Sequence, residues 1–352
     1  MNGRSVRCAI VQEDLERIVA CSIPWERLFG KTVLVTGASG FLPAYMVETL
    51  LFLNETRGAG IRVIALVRNR DRAVRRFSAY GNRPDLAILV QNVCDAYAGD
   101  RPVDFVVHAA SQASPKYYGL DPAGTFETNV FGTRRMLELA RDAGCESFLF
   151  FSSGEVYGAM DERFIPIVEN QYGYLDPMDV RSCYGEGKRA GETLCKCWYS
   201  QSGIPVKVVR PFHTYGPGMR LDDGRVFADF VADVVLRRPI VLKSDGSARR
   251  AFCYLADATA GFFVALLLGK NGEAYNVGSP QECSILELAE TLCALFPERV
   301  PGIAREPRKA DISYLQSPIS RNCPDISKMR ALGWEPWTTV REGFFRTVQS
   351  YE

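Results

Sequence analysis

The sequence predicts an α/β fold: a doubly wound parallel sheet with a smaller C-terminal α/β lobe. Three observations carry that prediction. From Lys31 to Val209, apolar runs of strand length alternate with helical patterns, the rhythm of a parallel sheet covered by helices on both faces. A glycine-rich turn, Thr36-Gly37-Ala38-Ser39-Gly40-Phe41-Leu42, joins the first strand to a long helix. After Pro211 the segments shorten and are broken by Pro217, Gly218, Asp222, Asp223 and Gly224, which marks a change of architecture.

In chain order, residues 1–30 hold a helical pattern from Glu13 to Ala20 and then Ile23-Pro24-Trp25, expected to form an arm on the main domain. Lys31–Val35 reads as the first strand, and a helix follows from Pro43 to about Asn54. Gly37 permits the tight turn, Gly40 lets the backbone approach an anion, and the helix N-terminus faces it. Strand, turn and helix together are a dinucleotide-binding fingerprint of the Rossmann type, which makes Ser39, Phe41 and Leu42 candidate contacts. Pro43 replaces the third glycine; proline is tolerated in a first turn, where its missing N–H has no intrahelical partner.

A second strand, Arg62–Val67, ends at Arg68. An acid there would bind ribose hydroxyls and favour NAD, whereas Arg68, with Arg70 nearby, suits a ribose phosphate. NAD and NADP both stay open. Leu86–Val90 is a third strand, with Asn92 and Val93 where an adenine would rest. The fourth, Val103–His108, leads into Ala109-Ala110-Ser111-Gln112-Ala113-Ser114-Pro115, small residues that admit a ligand close to the backbone. A helix from Pro122 to about Ala143 carries Thr128-Asn129.

Ser147–Phe151 reads as a buried strand, followed by Ser153 and Glu155. Tyr184 and Lys188 are four residues apart, one turn of helix, so they share a face. An ammonium beside a phenol is expected to lower its pKa from roughly 10 toward working pH, making Tyr184 a proton acceptor. Val206–Val209 is the next strand, with Pro211 at the cleft. The expected division is an arm over 1–30, a dinucleotide-binding domain over 31–211 with 256–274 returning to it, and a lobe mainly over 212–352. Arg249–Tyr254 fits a strand holding Arg250 over a diphosphate. Leu332–Pro336 and a helix from Val340 to Tyr351 form a packed terminus.

Composition narrows the function. With 352 residues, 47% apolar and 24% charged, the chain reads as an ordinary globular protein, and a net charge of +1 argues against nucleic acid or membrane surfaces as partners. No apolar run reaches the ~20 residues of a spanning helix. Met1-Asn2-Gly3-Arg4 shows no secretory pattern, so a cytoplasmic protein is expected. Eleven scattered cysteines and two histidines give no metal-ligand spacing.

Several further motifs carry a resemblance. His108–Pro115 is similar to a His-Leu-Ala-Ser-Pro-Ala-Ser-Pro loop, Ser153–Gly158 to Thr-Ser-Glu-Val-Tyr-Gly, and Arg210–Pro217 to Arg-Ile-Phe-Asn-Thr-Tyr-Gly-Pro. Asp223–Val226, Arg250-Ala251-Phe252 and Pro324-Asp325-Ile326 fall in the same order. Together they resemble the extended short-chain dehydrogenases/reductases, the NAD-dependent epimerase/dehydratase family, and within it the UDP-glucuronate decarboxylases (UDP-xylose synthases).

The resemblance implies a tightly bound NAD or NADP, a nucleotide sugar (most similar to a UDP-sugar) as substrate, and transient oxidation of sugar carbon 4. It implies catalytic roles for Ser153, Glu155, Tyr184 and Lys188. The cofactor would be held by Gly37, Ser39, Gly40, Phe41, Leu42, Arg68, Asn92, Val93, Ala109, Ala110, Ser111, Asn129, Tyr184, Lys188 and Pro211. Substrate contacts would come from Ser114, Tyr117, Ser153, Glu155, His213, Arg225, Val226, Arg250 and Arg321. A homodimer through the Tyr184 helix and its predecessor is implied, with Leu194 and Trp198 in contact. Three residues depart from the family pattern: Gly154 offers no acid for dehydration, His213 replaces an asparagine, and Arg68 replaces an acid. A 4,6-dehydratase, an epimerase and a non-catalytic dinucleotide-binding regulator are the alternatives.

Overall fold

The structure is a computed structural model that describes residues 7–100, 102–306 and 321–352. The Met1-Asn2-Gly3-Arg4 start, and residues 307–320 of the expected lobe, lie outside the described residues.

The chain runs α1 (Ala9–Ala20), β1 (Thr32–Thr36), α2 (Phe41–Arg57), β2 (Arg62–Val67), α3 (Arg70–Arg76), β3 (Leu86–Val90), β4 (Phe105–His108), α4 (Lys116–Leu120), α5 (Pro122–Asp142) and β5 (Ser147–Phe151). It continues with α6 (Cys183–Ser202), β6 (Val206–Pro211), β7 (His213–Tyr215), α7 (Val226–Val235), β8 (Ile240–Leu242), β9 (Arg249–Tyr254), α8 (Leu255–Leu268) and β10 (Glu273–Val277). The remainder is β11 (Glu282–Ser284), α9 (Ile285–Leu295), β12 (Ile303–Arg305), β13 (Arg321–Asn322), α10 (Ser327–Ala331) and α11 (Val340–Gln349).

The expected parallel sheet is present. Seven strands pair in the order β10-β6-β5-β4-β1-β2-β3, every neighbour parallel. Strand side chains alternate between two cores. Val33, Val35, Phe105, Val107, Leu149 and Phe151 join α2 and α8 on one face. Leu34, Val106, Phe148 and Phe150 meet Met136, Leu137 and Ala140 of α5 and Cys195 of α6 on the other. Burial on both faces explains why these strands read as continuous apolar runs. Strand order reverses between β1 and β4, and that switch point opens a crevice at the strand ends.

Several boundaries differ from expectation. The first helix starts at Ala9 rather than Glu13, and α2 at Phe41 rather than Pro43. Pro43 is therefore the third residue of α2, still among the N–H positions without an intrahelical partner. β4 begins at Phe105 rather than Val103: Pro102 has no N–H to pair, and the Asp104 carboxylate takes the Thr32 N–H at 2.7 Å. β6 extends to Pro211 because β10 lies beside it, with Asn276 opposite Arg210.

The lobe is built on β9, which pairs with β7 and β13 in parallel and β11 antiparallel; β8 and β12 form a separate pair. The arm is tied down by a buried carboxylate. Asp14 accepts hydrogen bonds from Tyr45 (3.0 Å), Tyr254 (2.8 Å) and Arg346 (2.7 Å), joining α1 to α2, β9 and α11. Among the described residues no helix is long and apolar enough to cross a membrane, and no cluster of His, Cys, Asp or Glu is arranged to hold a metal.

Candidate active site

A cleft of about 820 Å³ opens at the switch point and is walled on its far side by the lobe. The turn between β1 and α2 forms its floor. Gly37 has φ +63, and a Cβ there would lie 2.8 Å from Cα of Ala110. At Gly40, the N-cap of α2, a Cβ would lie 2.9 Å from the Gly37 carbonyl. Only bare backbone fits, and the first-turn N–H groups of α2 start beside it. Ser39, Phe41, Leu42, Ala109 and Pro211 line the same cleft. Thr36 Oγ1 accepts the N–H groups of Ala109 (3.1 Å) and Ala110 (3.0 Å), fixing the loop after β4. Ser111 also lines the cleft, and its hydroxyl is buried without a partner. A side-chain-free turn, a helix N-terminus and an unpartnered hydroxyl fit the pyrophosphate and ribose of a dinucleotide.

Arg68 lines the cleft, joined by Arg72, Arg75 and Arg76 of α3 rather than by Arg70. Arg76 is committed to the buried Glu48 at 2.7 Å. Four expected cofactor contacts are not on the cleft wall. Asn92 is exposed, its side chain accepting the Cys94 N–H at 3.2 Å, and Val93 is buried in the core against α5. Ala110 packs behind Gly37. Asn129 faces α6, where its Cβ sits 3.3 Å from the position a Cβ on Gly187 would take. Its amide donates to the Thr125 carbonyl at 2.8 Å, and its Oδ1 is buried without a partner.

At the opposite end, Ser153, Glu155, Tyr184 and Lys188 meet in one corner. Ser153 caps a short turn over Gly154–Tyr157, its Oγ accepting the Glu155 N–H at 3.2 Å. Tyr184 and Lys188 share a face of α6 and are 6% and 2% exposed. The Lys188 ammonium lies 5.7 Å from the Tyr184 ring centre. It does not lower the phenol as expected. Its Nζ donates to the Phe151 carbonyl at 2.6 Å, and burial brings its own pKa down to about 7 against the opposing pull of Glu192. Burial also pushes Tyr184 up to about 12, outweighing the hydrogen bond with Ser153 and the nearby Arg225 guanidinium; Glu155 pushes the same way as burial. In the chain by itself, desolvation outweighs the neighbouring charges.

Two residues of this corner were not foreseen. Arg181, on the turn before α6, pairs with Glu155 at 3.2 Å, and Tyr118 of α4 stacks on Tyr184 at 5.0 Å and 16°. Arg181 is only three positions from Tyr184, a local signal; Tyr118 reaches the site only through the fold.

The lobe side holds Ser114, Tyr117, His213, Arg225, Val226 and Arg250. Ser114 donates to the Asp223 carbonyl at 3.0 Å and Arg225 to the Ala113 carbonyl at 2.9 Å, so the loop after β4 is laced to the segment before α7. His213 keeps a buried Nδ1 without a partner, and burial with Arg250 and Arg225 nearby holds its ring neutral, well below the usual histidine range. Arg321, an expected substrate contact, is not on the cleft wall. It forms an ion pair with Glu282 at 2.7 Å away from the cleft, while its neighbour Asn322 lines it. Alternation along β13 puts the two on opposite faces.

The comparisons with known proteins agree with this architecture. The family model described as the NAD dependent epimerase/dehydratase family matches residues 33–278. The chain is 36% identical over 324 residues to UDP-glucuronic acid decarboxylase 1 of Arabidopsis thaliana, covering 91% of this chain and 69% of that protein. It is 32% identical to UDP-glucuronic acid decarboxylase 1 of Danio rerio, covering 91% and 72%. Among solved structures, UDP-glucuronic acid 4-epimerase from Bacillus cereus, in complex with UDP-glucuronic acid and NAD, shares the fold with a TM-score of 0.75 and 22% identity over 90% of this chain and 98% of that one. This chain belongs to the NAD dependent epimerase/dehydratase family.

Proposed function

We propose that the chain is a nucleotide-sugar enzyme that decarboxylates UDP-glucuronate to UDP-xylose, using NAD bound on the Gly37–Gly40 turn. The observation that carries this reading is the gathering of Ser153, Glu155, Tyr184 and Lys188 in one corner of a cleft whose other end is an anion cradle. The similarity to UDP-glucuronic acid decarboxylases supports the substrate.

When bound, the oxidised nicotinamide supplies a hydride acceptor for carbon 4 and a positive charge that favours the Tyr184 phenolate. Tyr184 takes the proton of the carbon 4 hydroxyl, and Ser153, already hydrogen-bonded to the phenol, holds the oxygen. The resulting ketone activates carbon 5. The bond from carbon 5 to the carboxylate breaks, its electron pair passes into the enolate, and carbon dioxide leaves. Glu155 handles the proton returned to carbon 5, and Tyr184 returns its proton as carbon 4 is reduced. Gly154 brings no acid to carbon 6, so loss of a hydroxyl there has no proton donor at this position.

We also propose the division into an arm, a dinucleotide domain (31–211 with 256–274) and a substrate lobe, a cytoplasmic setting that keeps the eleven thiols free, and a homodimer across α5 and α6. Phe131, 52% exposed on α5, supports that interface.

Incubation of the purified chain with NAD and UDP-glucuronate should yield UDP-xylose and carbon dioxide. Formation of a 6-deoxy-4-keto sugar from a neutral nucleotide hexose, with UDP-glucuronate untouched, would reject the reading.

A further inference from the structure

Arg181 carries an unspent half of its guanidinium at the sugar end of the cleft. Its Nη1 donates to Glu155 Oε2 at 3.2 Å, and the group lies over the Tyr118 ring at 5.6 Å. Nε is buried and has no acceptor, and the guanidinium makes no second hydrogen bond among the described residues. The side chain is 11% exposed. The other cations of this corner are occupied: Lys188 by the Phe151 carbonyl, and Arg225 by Asp223 at 3.1 Å and the Ala113 carbonyl. A buried guanidinium with a free edge is a receptor for a planar anion, because its fork matches both oxygens of a carboxylate.

Charge balance points the same way. With Tyr184 at the carbon 4 hydroxyl, the substituents on the adjoining carbons, that on carbon 5 included, are the ones brought nearest to the Glu155, Arg181 and Tyr118 side chains around it. A uronic acid would bring a second carboxylate beside Glu155. Two anions cannot share a desolvated corner without a cation between them.

We infer that Arg181 reads the carboxylate on carbon 5 of the sugar through its free edge while Nη1 keeps Glu155, and so selects a uronic acid over a neutral hexose. This rests on the decarboxylation reading of the same site. Arg181 is a specificity-determining residue, and its effect belongs to the charged sugar alone.

The test is calorimetric titration of the NAD-loaded chain with UDP-glucuronate and with UDP-glucose, which differ only in that carboxylate. Arg181→Met should weaken UDP-glucuronate by about 10- to 100-fold and UDP-glucose by less than about 2-fold. Arg181→Lys should fall between, since it keeps the charge and loses the fork. Equal losses for both sugars, or no loss for UDP-glucuronate, would overturn the inference. Should Arg181→Met fail to fold, the ratio of the two affinities in Arg181→Lys decides. Wild-type turnover reports separately on the reaction: discrimination through Arg181 without any UDP-xylose sinks decarboxylation and leaves the recognition standing.

Discussion

Tyr184 is more weakly acidic in this cleft than a phenol in water. Burial takes it to about 12: the Ser153 hydrogen bond and the Arg225 guanidinium oppose the rise without overcoming it, and Lys188 is engaged with the Phe151 carbonyl. A phenol raised in this way stays protonated at neutral pH in the free chain, and a positive charge bound beside it would favour the phenolate. Replacing the hydroxyl removes the proposed proton acceptor but spares the ring stacked on Tyr118. Tyr184→Phe is therefore expected to cut turnover at least ~100-fold with little change in KM, as steady-state kinetics with UDP-glucuronate will measure. Equal losses in kcat and affinity would mean that the hydroxyl binds rather than reacts. At this scale, the sequence disclosed what is local. Tyr184 and Lys188 share one helix face by spacing alone. The Arg181–Glu155 pair spans 26 positions, and the Tyr118–Tyr184 stack joins two separate helices. The effect of burial on the phenol, which reversed the expected shift, depends on packing that no spacing encodes.

At the level of elements, the strands were legible because burial on both faces leaves unbroken apolar runs, and α2 because its turn demands glycine at φ +63. What the pattern could not disclose was direction at the ends. Asn92 and Val93 follow β3, where one side chain is exposed and the other enters the core; Arg321 and Asn322 part in the same way on β13. A one-residue choice of face decides each, and the lobe's short strands offer too few alternations to read it. The end of β4 shows how tightly the central elements are joined. His108 is 1% exposed, with Nδ1 2.9 Å from Thr36 Oγ1 and Nε2 3.1 Å from Thr133 Oγ1, linking β1, β4 and α5. Burial, then the Lys188 charge, lower it from 6.5 to about 3. The folded chain thus refuses a proton that the unfolded chain accepts. Its stabilising contribution is complete above about pH 6.5 and is lost as pH falls toward 3, by at most about 1.4 kcal/mol per unit. Urea unfolding between pH 6.5 and 4 should show a shallower loss in His108→Gln than in the wild type; parallel slopes would assign the acid sensitivity to other groups.

Across the whole molecule, the arm and the terminal helix meet at one buried charge. Asp14 on α1 is 0% exposed and receives Arg346 of α11 at 2.7 Å together with the hydroxyls of Tyr45 and Tyr254. Burial raises its pKa, and Arg346 and the tyrosines pull it back, so the carboxylate is buried because it is partnered. Arg346 has one other acidic partner, Glu13 at 2.8 Å, whose side chain is 54% exposed and well screened. Asp14→Ala takes the buried acceptor away from the guanidinium, which keeps Glu13 and the Ile10 carbonyl, and from both hydroxyls at the junction of α1, α2, β9 and α11. It should lower unfolding free energy by about 3–5 kcal/mol, the cost of breaking one side of a buried pair. Asp14→Asn keeps acceptor capacity for the tyrosines and should lose less. The discriminating variant is Asp14→Leu with Arg346→Leu: removing both charges together should recover much of the single-variant loss, because the desolvation of each ion disappears along with their attraction. If all three variants unfold in urea within about 1 kcal/mol of the wild type, the arm is held by Leu15, Ile18 and Trp25 packing on the core and the charge cluster is incidental.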